Sequence, residues 1–164
     1  MREFLSAGLL DELVEQARAS PRRRMHANLH FDASEHCQRL LNAVEPDSYI
    51  CPHRHLRPQD VETLLVVRGG FVIFRFNDDG TVQSARRLGS QHPGGSVDTF
   101  GAEVVPGTWH TLVATEPGSV LFEAKAGPFE PALAKELAPW APAEGSAESV
   151  HYLGELHALA ASLA

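Results

Sequence analysis

The spacing of apolar residues changes period along this chain. Leu9, Leu10, Leu13, Val14 and Ala17 recur at the three-and-four spacing of one helix face. Ser6 stands at the N-cap position and Ser20-Pro21 ends the run, so the pattern predicts a helix within residues 1–20. From about residue 28 the chain turns to short apolar runs divided by turn residues. Leu64 to Val67 and Phe71 to Phe76 flank Gly69-Gly70, and Asn77-Asp78-Asp79-Gly80 predicts a hairpin turn into a strand from Thr81 to Leu88. Ala102 to Val105, Thr111 to Ala114 and Val120 to Lys125 read as further strands, the last two joined by the turn Glu116-Pro117-Gly118-Ser119. Gly89 to Gly95 reads as a flexible loop. Gly127 to Ser149 is rich in Pro, Ala and Glu and reads as an extended strap. Val150 to Ala164 reads as a last short helix, its apolar stripe made by Tyr152, Leu153, Leu156, Leu159 and Leu163. Short strands between Gly/Pro turns predict an all-β barrel or sandwich. The expected organisation is a helix over 1–20, a β-barrel over 21–130, and a strap with a C-terminal helix over 131–164.

Composition narrows the function classes. A chain of 164 residues is long enough to bury its own core. Its net charge of −7 argues against a nucleic-acid partner, since phosphate affinity needs a basic surface. The only basic run, Arg22-Arg23-Arg24, reads as a solvated connection. No stretch approaches the roughly 18 apolar residues of a membrane span, so no membrane partner is expected. Glu3, Asp11, Glu12 and Glu15 interrupt any secretory leader. Cys37 and Cys51 make no disulfide framework, which points to a cytoplasmic chain with reduced thiols.

The chemistry is concentrated in His53-Arg54-His55, Glu62 and the distant His110. Histidines one residue apart on a strand point to the same face, where both imidazoles reach one ion. With a carboxylate and a third histidine they form a mixed N/O set, suited to one divalent transition metal per chain (Zn, Fe, Mn or Ni). Such a set leaves coordination positions open, as a catalytic or ligand-binding site requires. Glu62 has two readings. It is a metal ligand or, displaced by the six residues Leu56 to Val61, a catalytic general base.

The period-two rule also places Tyr49 and Cys51 on the histidine wall, Cys51 either facing the ion or packing as a small apolar residue. Glu123 and Lys125 share one strand face, directed either into the barrel or to solvent. Asn28 and His30 precede the barrel and either close one of its mouths or make local hydrogen bonds. Glu123, Lys125, Tyr49, Asn28 and His30 are thus the candidate substrate-binding residues for a small-molecule partner. Trp109 reads as core packing, and His26, His36, His92, His151 and His157 as surface residues.

These residues resemble the cupin superfamily. His53-x-His55 and Glu62-(six residues)-Gly69 match its first motif, and Pro106-Gly107-x-x-His110 resembles the core of its second. The chain departs in its longer His55-to-Glu62 gap, in Asp47-Ser48 where a glycine precedes the motif, and in Ala114 where an Asn is usual. Ser20-Pro21-Arg22-Arg23-Arg24, Asn28-Leu29-His30, Gln38 to Ala43, Pro52-His53-Arg54-His55, Pro106 to Leu112 and Ala138 to Pro142 look like WbuC-type cupin-fold metalloproteins. That resemblance implies a double-stranded β-helix, the RmlC-like jelly-roll barrel, with an N-terminal helix and a short C-terminal helix. It also implies a bound divalent metal, a bacterial surface-polysaccharide setting and, by cupin analogy, a homodimer. The expected function is a metal-dependent isomerase or epimerase acting on a sugar or nucleotide-sugar. The alternatives are a non-catalytic module holding a sugar or carboxylate, an iron-dependent dioxygenase, and a metal-free RmlC-type epimerase.

Overall fold

A computed structural model describes residues 4–90 and 98–163. The first element, α1 (Ala7–Ala19), starts at Ser6, whose hydroxyl accepts from the Leu9 N–H, and buries Leu9, Leu13, Val14 and Ala17. Ten strands follow among the described residues: β1 (Arg24–Asn28), β2 (Cys37–Val44), β3 (His53–Arg54), β4 (Glu62–Arg68), β5 (Gly70–Phe76), β6 (Val82–Gly89), β7 (Gly101–Val104), β8 (Trp109–Ala114), β9 (Ser119–Ala126) and β10 (Glu136–Leu137). The last element is α2 (Ala147–Ser162). The strands make two antiparallel five-stranded sheets, ordered β1-β2-β9-β4-β7 and β10-β3-β8-β5-β6. Among the described residues no helix is long and apolar enough to cross a membrane.

Four layers result, and each sheet face has its own partner. Between the sheets, Leu64, Val66, Phe71, Ile73, Leu112 and Leu121 form the inner core. Leu9, Leu13, Val14 and Ala17 of α1 pack on Leu41, Ala43 and Val120, on the outer face of the first sheet. Burial of this kind stabilises by roughly 1.5–3 kcal/mol per large aliphatic side chain. The outer face of the second sheet presents Val72, Phe74, Phe76, Trp109 and Val113 to α2 and the preceding strap. Both faces of β5 and β8 are covered, so consecutive residues are apolar from Phe71 to Phe74 and from Leu112 to Ala114 instead of alternating.

The long central strands lie close to their predicted positions. β1 and β2 are additions: their inward rows, such as His26 and Asn28 or Gln38 and Asn42, are polar and hide the apolar alternation. Within the stretch read as a strap, β10 pairs with β3 (Glu136 opposite Arg54, Leu137 opposite His53). The C-terminal helix begins at Ser146, whose hydroxyl accepts from Ser149 N–H, and buries Ser149, Leu153, Leu156 and Ala160. Leu159 of the predicted stripe is exposed, because the buried face runs through Leu156 and Ala160 instead. Most of the predicted loop after Gly89, including His92, lies outside the described residues.

Candidate metal centre

Along the inward rows the interior changes from apolar to polar at one end of the barrel. On β4 the sequence of inward residues runs Val66, Leu64, Glu62, and on β8 it runs Ala114, Leu112, His110. β3 brings His53 directly opposite His110. His55 follows just beyond β3. The result is one cluster in which His53, His55, Glu62 and His110 each offer a ligand atom, all within 4.8 Å of one another. His55, Glu62 and His110 are buried, and His53 is half-buried.

Hydrogen bonds settle which imidazole nitrogens face the centre. The Nδ1 atoms of His53, His55 and His110 lie 2.9, 2.6 and 2.9 Å from the carbonyl oxygens of Cys51, Ala134 and Thr108. A carbonyl only accepts, so each Nδ1 carries the hydrogen and each neutral ring keeps its lone pair on Nε2. Outer hydrogen bonds of this kind orient histidines that bind metals. The Nε2 atoms of His55 and His110 are buried without a hydrogen-bond partner, and they stand 3.4 and 3.3 Å from Glu62 Oε2. Lone pairs facing a carboxylate repel each other unless a cation sits between them. The donor set therefore fits a divalent transition metal. Burial pushes the His53 pKa well below its ordinary value, and His110 and Lys135 add to this, so the ring is neutral and ready to ligate.

The longer gap before Glu62 is absorbed locally. Asp60 is fully buried and accepts from the Arg57 guanidinium at 2.8–3.1 Å, and the Asp60 N–H closes a turn onto Arg57 O. This stapled turn delivers Glu62 into the histidine cluster instead of displacing it.

A cavity of about 570 Å³ opens from the cluster. Besides the four clustered residues, it is lined by Arg24, His26, Asn42, Ile50, Glu123, Lys125 and Lys135, among others. Glu123 and Lys125 thus face inward, Lys125 standing opposite Glu62 in the β4–β9 register. Asn42 Nδ2 donates to Glu123 Oε1 at 2.8 Å. Burial and the Glu62 charge push the Glu123 carboxyl up to about 7, against the pull of Asn42, Lys125 and Lys135. Asn28 and His30 line a smaller adjoining cavity of about 260 Å³, which shares Glu62, Glu123 and Lys125 with the larger one. His30 Nδ1 lies 2.8 Å from the Arg39 carbonyl oxygen and 3.0 Å from the Arg39 amide nitrogen, which fixes that ring at the mouth.

Tyr49 is not brought to this site. Its ring packs in the outer cluster beneath α2 and its hydroxyl donates to Pro142 O at 2.9 Å, so its assignment to the substrate wall is corrected. Cys51 lies in the same outer cluster. Regular alternation fails there because β3 comprises only His53–Arg54, with Pro52 intervening; Ile50 faces the cavity instead. Trp109 is core, its Nε1 donating to Asp78 Oδ1 at 3.0 Å, with the Arg54 guanidinium 4.2 Å from its ring centre. His26 is exposed, as its reading as a surface residue has it, and it also lines the open side of the cavity. Arg22 is exposed and pairs with Glu144 at the surface, whereas Arg24, bonded to the same carboxylate, is largely withdrawn from solvent. Sequence reasoning missed Asn42, Lys135 and the Ala134 carbonyl. The one available signal was the alternation of polar residues across the unrecognised β2.

Residues 5–88, just over half of the chain, match the family model DUF6016, described as a domain of unknown function. The chain belongs to the DUF6016 family. No functionally curated protein matches it. Among solved structures it is similar to protein SO0799 from Shewanella oneidensis, with a TM-score of 0.57 and 14% identity over 82% of this chain and 85% of that one. An oxalate decarboxylase from Bacillus subtilis gives a TM-score of 0.50 and 14% identity over 70% of this chain and 27% of that one. KdgF from a Halomonas species gives 0.49 and 17% identity, over 68% and 84%. Together with the two facing antiparallel sheets, the first two of these likenesses identify the fold of this DUF6016 member as a jelly roll of the cupin type.

Proposed function

We propose that this DUF6016 cupin is a metalloprotein whose His53, His55, Glu62 and His110 hold one divalent transition metal. We further propose that it is an enzyme of the isomerase or epimerase type acting on a small sugar-like substrate. The observation that carries the metal reading is the pair of buried, unpartnered Nε2 atoms facing Glu62, with all three Nδ1 atoms committed to backbone carbonyls. Bound there, a metal would supply Lewis acidity toward substrate oxygens. The similarity of the quoted segments to WbuC-type proteins supports a place among bacterial surface-polysaccharide proteins, and the two free cysteines support a cytoplasmic setting.

The geometry favours Glu62 as a ligand over Glu62 as a base, because its carboxylate sits inside the histidine cluster. Glu123 is then the better candidate for moving a proton. It faces the same cavity, Asn42 holds its orientation, and its raised pKa suits proton transfer near neutral pH. Lys125 borders the reacting space, and Asn28 and His30 border the adjoining mouth.

Elemental analysis of the wild type and His110→Ala, both purified without chelators or a nickel column, tests the site. About one equivalent of metal in the wild type, largely lost in a folded variant, is expected. No metal in the wild type after reconstitution, or equal metal in both, overturns the ligand assignment. Zinc or manganese directs assays toward sugar isomerisation and iron toward dioxygen chemistry. Binding without turnover across those assays would leave a non-catalytic ligand-binding module.

A further inference from the structure

The charged side chains around the cavity divide into those already paired and those left over. Arg24 enters the wall, but its guanidinium is taken up by Glu144, at 2.8 Å to each carboxylate oxygen, and by the Tyr49 carbonyl. Glu123 is held by Asn42. Two ammonium groups have no such partner among the described residues. Lys125 Nζ lies 3.3 Å from His55 Nδ1, which cannot accept from it while donating to Ala134 O. Lys135 lines the same cavity from the strap, one residue after the carbonyl that orients His55.

The formal charges give a sign. A divalent ion with Glu62 leaves one positive charge at the centre, Lys125 offsets Glu123, and Lys135 adds a second positive charge. A cavity lined this way, with low-dielectric walls on both sides, focuses positive potential, which draws in an anionic ligand and disfavours a cationic one. Lysine ammonium groups act as point charges toward a carboxylate or a phosphate alike. Glu123 and Asn42 meanwhile present acceptor and donor groups suited to hydroxyls. The volume, about 570 Å³, accommodates a small metabolite in contact with both ends.

We propose that the cavity is selective for a small polyhydroxylated anion, its oxygens directed at the metal end and its carboxylate or phosphate received by Lys135 and Lys125. This rests on the metal reading above, and it narrows the substrate class to acids or phosphate esters of polyols.

The test uses the full chain loaded with cobalt(II), titrated with glycerol, glycerate and glycerol 3-phosphate. These flexible probes differ only in their anionic group. Binding is read from the visible spectrum of the cobalt and by calorimetry. Glycerate or glycerol 3-phosphate should bind at least about tenfold more tightly than glycerol, and which of the two is tighter identifies the anion. Lys135→Gln should weaken the tighter anion about tenfold without changing cobalt content, and Lys135→Arg should restore most of the loss. Lys125→Met should behave like Lys135→Gln. Stoichiometric cobalt with no preference for either anion overturns the proposal and leaves the metal site standing, as does an unchanged preference in both lysine variants. Failure of the wild type to load cobalt overturns the metal reading and this inference with it.

Discussion

Glu62→Gln isolates one ligand while preserving side-chain shape in a site where Oε2 stands 3.3–3.4 Å from two imidazole nitrogens. Four-ligand zinc sites are worth about 10–16 kcal/mol near neutral pH, so one ligand carries about 3 kcal/mol, or about 100-fold in affinity. With metal at 100 times the wild-type Kd, linkage stabilises the folded wild type by about 2.7 kcal/mol. For a chain of this size that raises Tm by about 5–11 °C. The same concentration equals the Kd of the variant, where the gain falls to about 0.4 kcal/mol and Tm rises by about 1–2 °C. Calorimetric scans of chelated and metal-loaded protein, wild type beside Glu62→Gln, measure both increments against their own metal-free baselines. Equal increments in the two proteins would refute the assignment of Glu62 as a ligand. The alternative, Glu62 as a base outside the coordination sphere, predicts that result.

Two further perturbations probe the frame around the site. Arg57→Ala leaves the fully buried Asp60 carboxylate unpaired, so unfolding in denaturant should show a loss of about 2–3 kcal/mol, with weakened metal binding because the same turn delivers Glu62; unchanged stability and affinity would count against the staple. Glu144 is held at about 2, burial acting upward but outweighed by its hydrogen bonds and charge pairing with Arg22 and Arg24. Its folded value lies below the ordinary 4.5, so its contribution is present above about pH 4.5 and is lost as pH falls toward about 2. Glu144→Gln should therefore cost about 1–2 kcal/mol at pH 7, after solvent screening, and nothing near pH 2. A parallel loss at both pH values would show that the effect is not electrostatic.

The amino-acid sequence by itself determined the elements whose side chains repeat with a clear period and whose ends carry turn or cap chemistry. Ser6 and the Leu9–Ala17 face specified α1, and Asn77 to Gly80 specified the β5–β6 hairpin. The candidate cluster was partly legible too, because histidines one residue apart on a strand share a face through local geometry alone. Other features depended on contacts between distant segments. β3 is only two residues long and exists because β8 and β10 pair with it, so alternation could not be carried back through Pro52 to Cys51 and Tyr49. Both were placed on the wrong wall for that reason. β1 and β2 escaped detection because their inward residues face a polar cavity instead of a core, which removes the hydrophobic half of the pattern. The inward direction of Glu123 and Lys125 was decided only when α1 covered the opposite face of β9 through Val120. Periodicity reports which residues share a face; only the packing of one layer on another decides whether that face meets solvent, a core or a site.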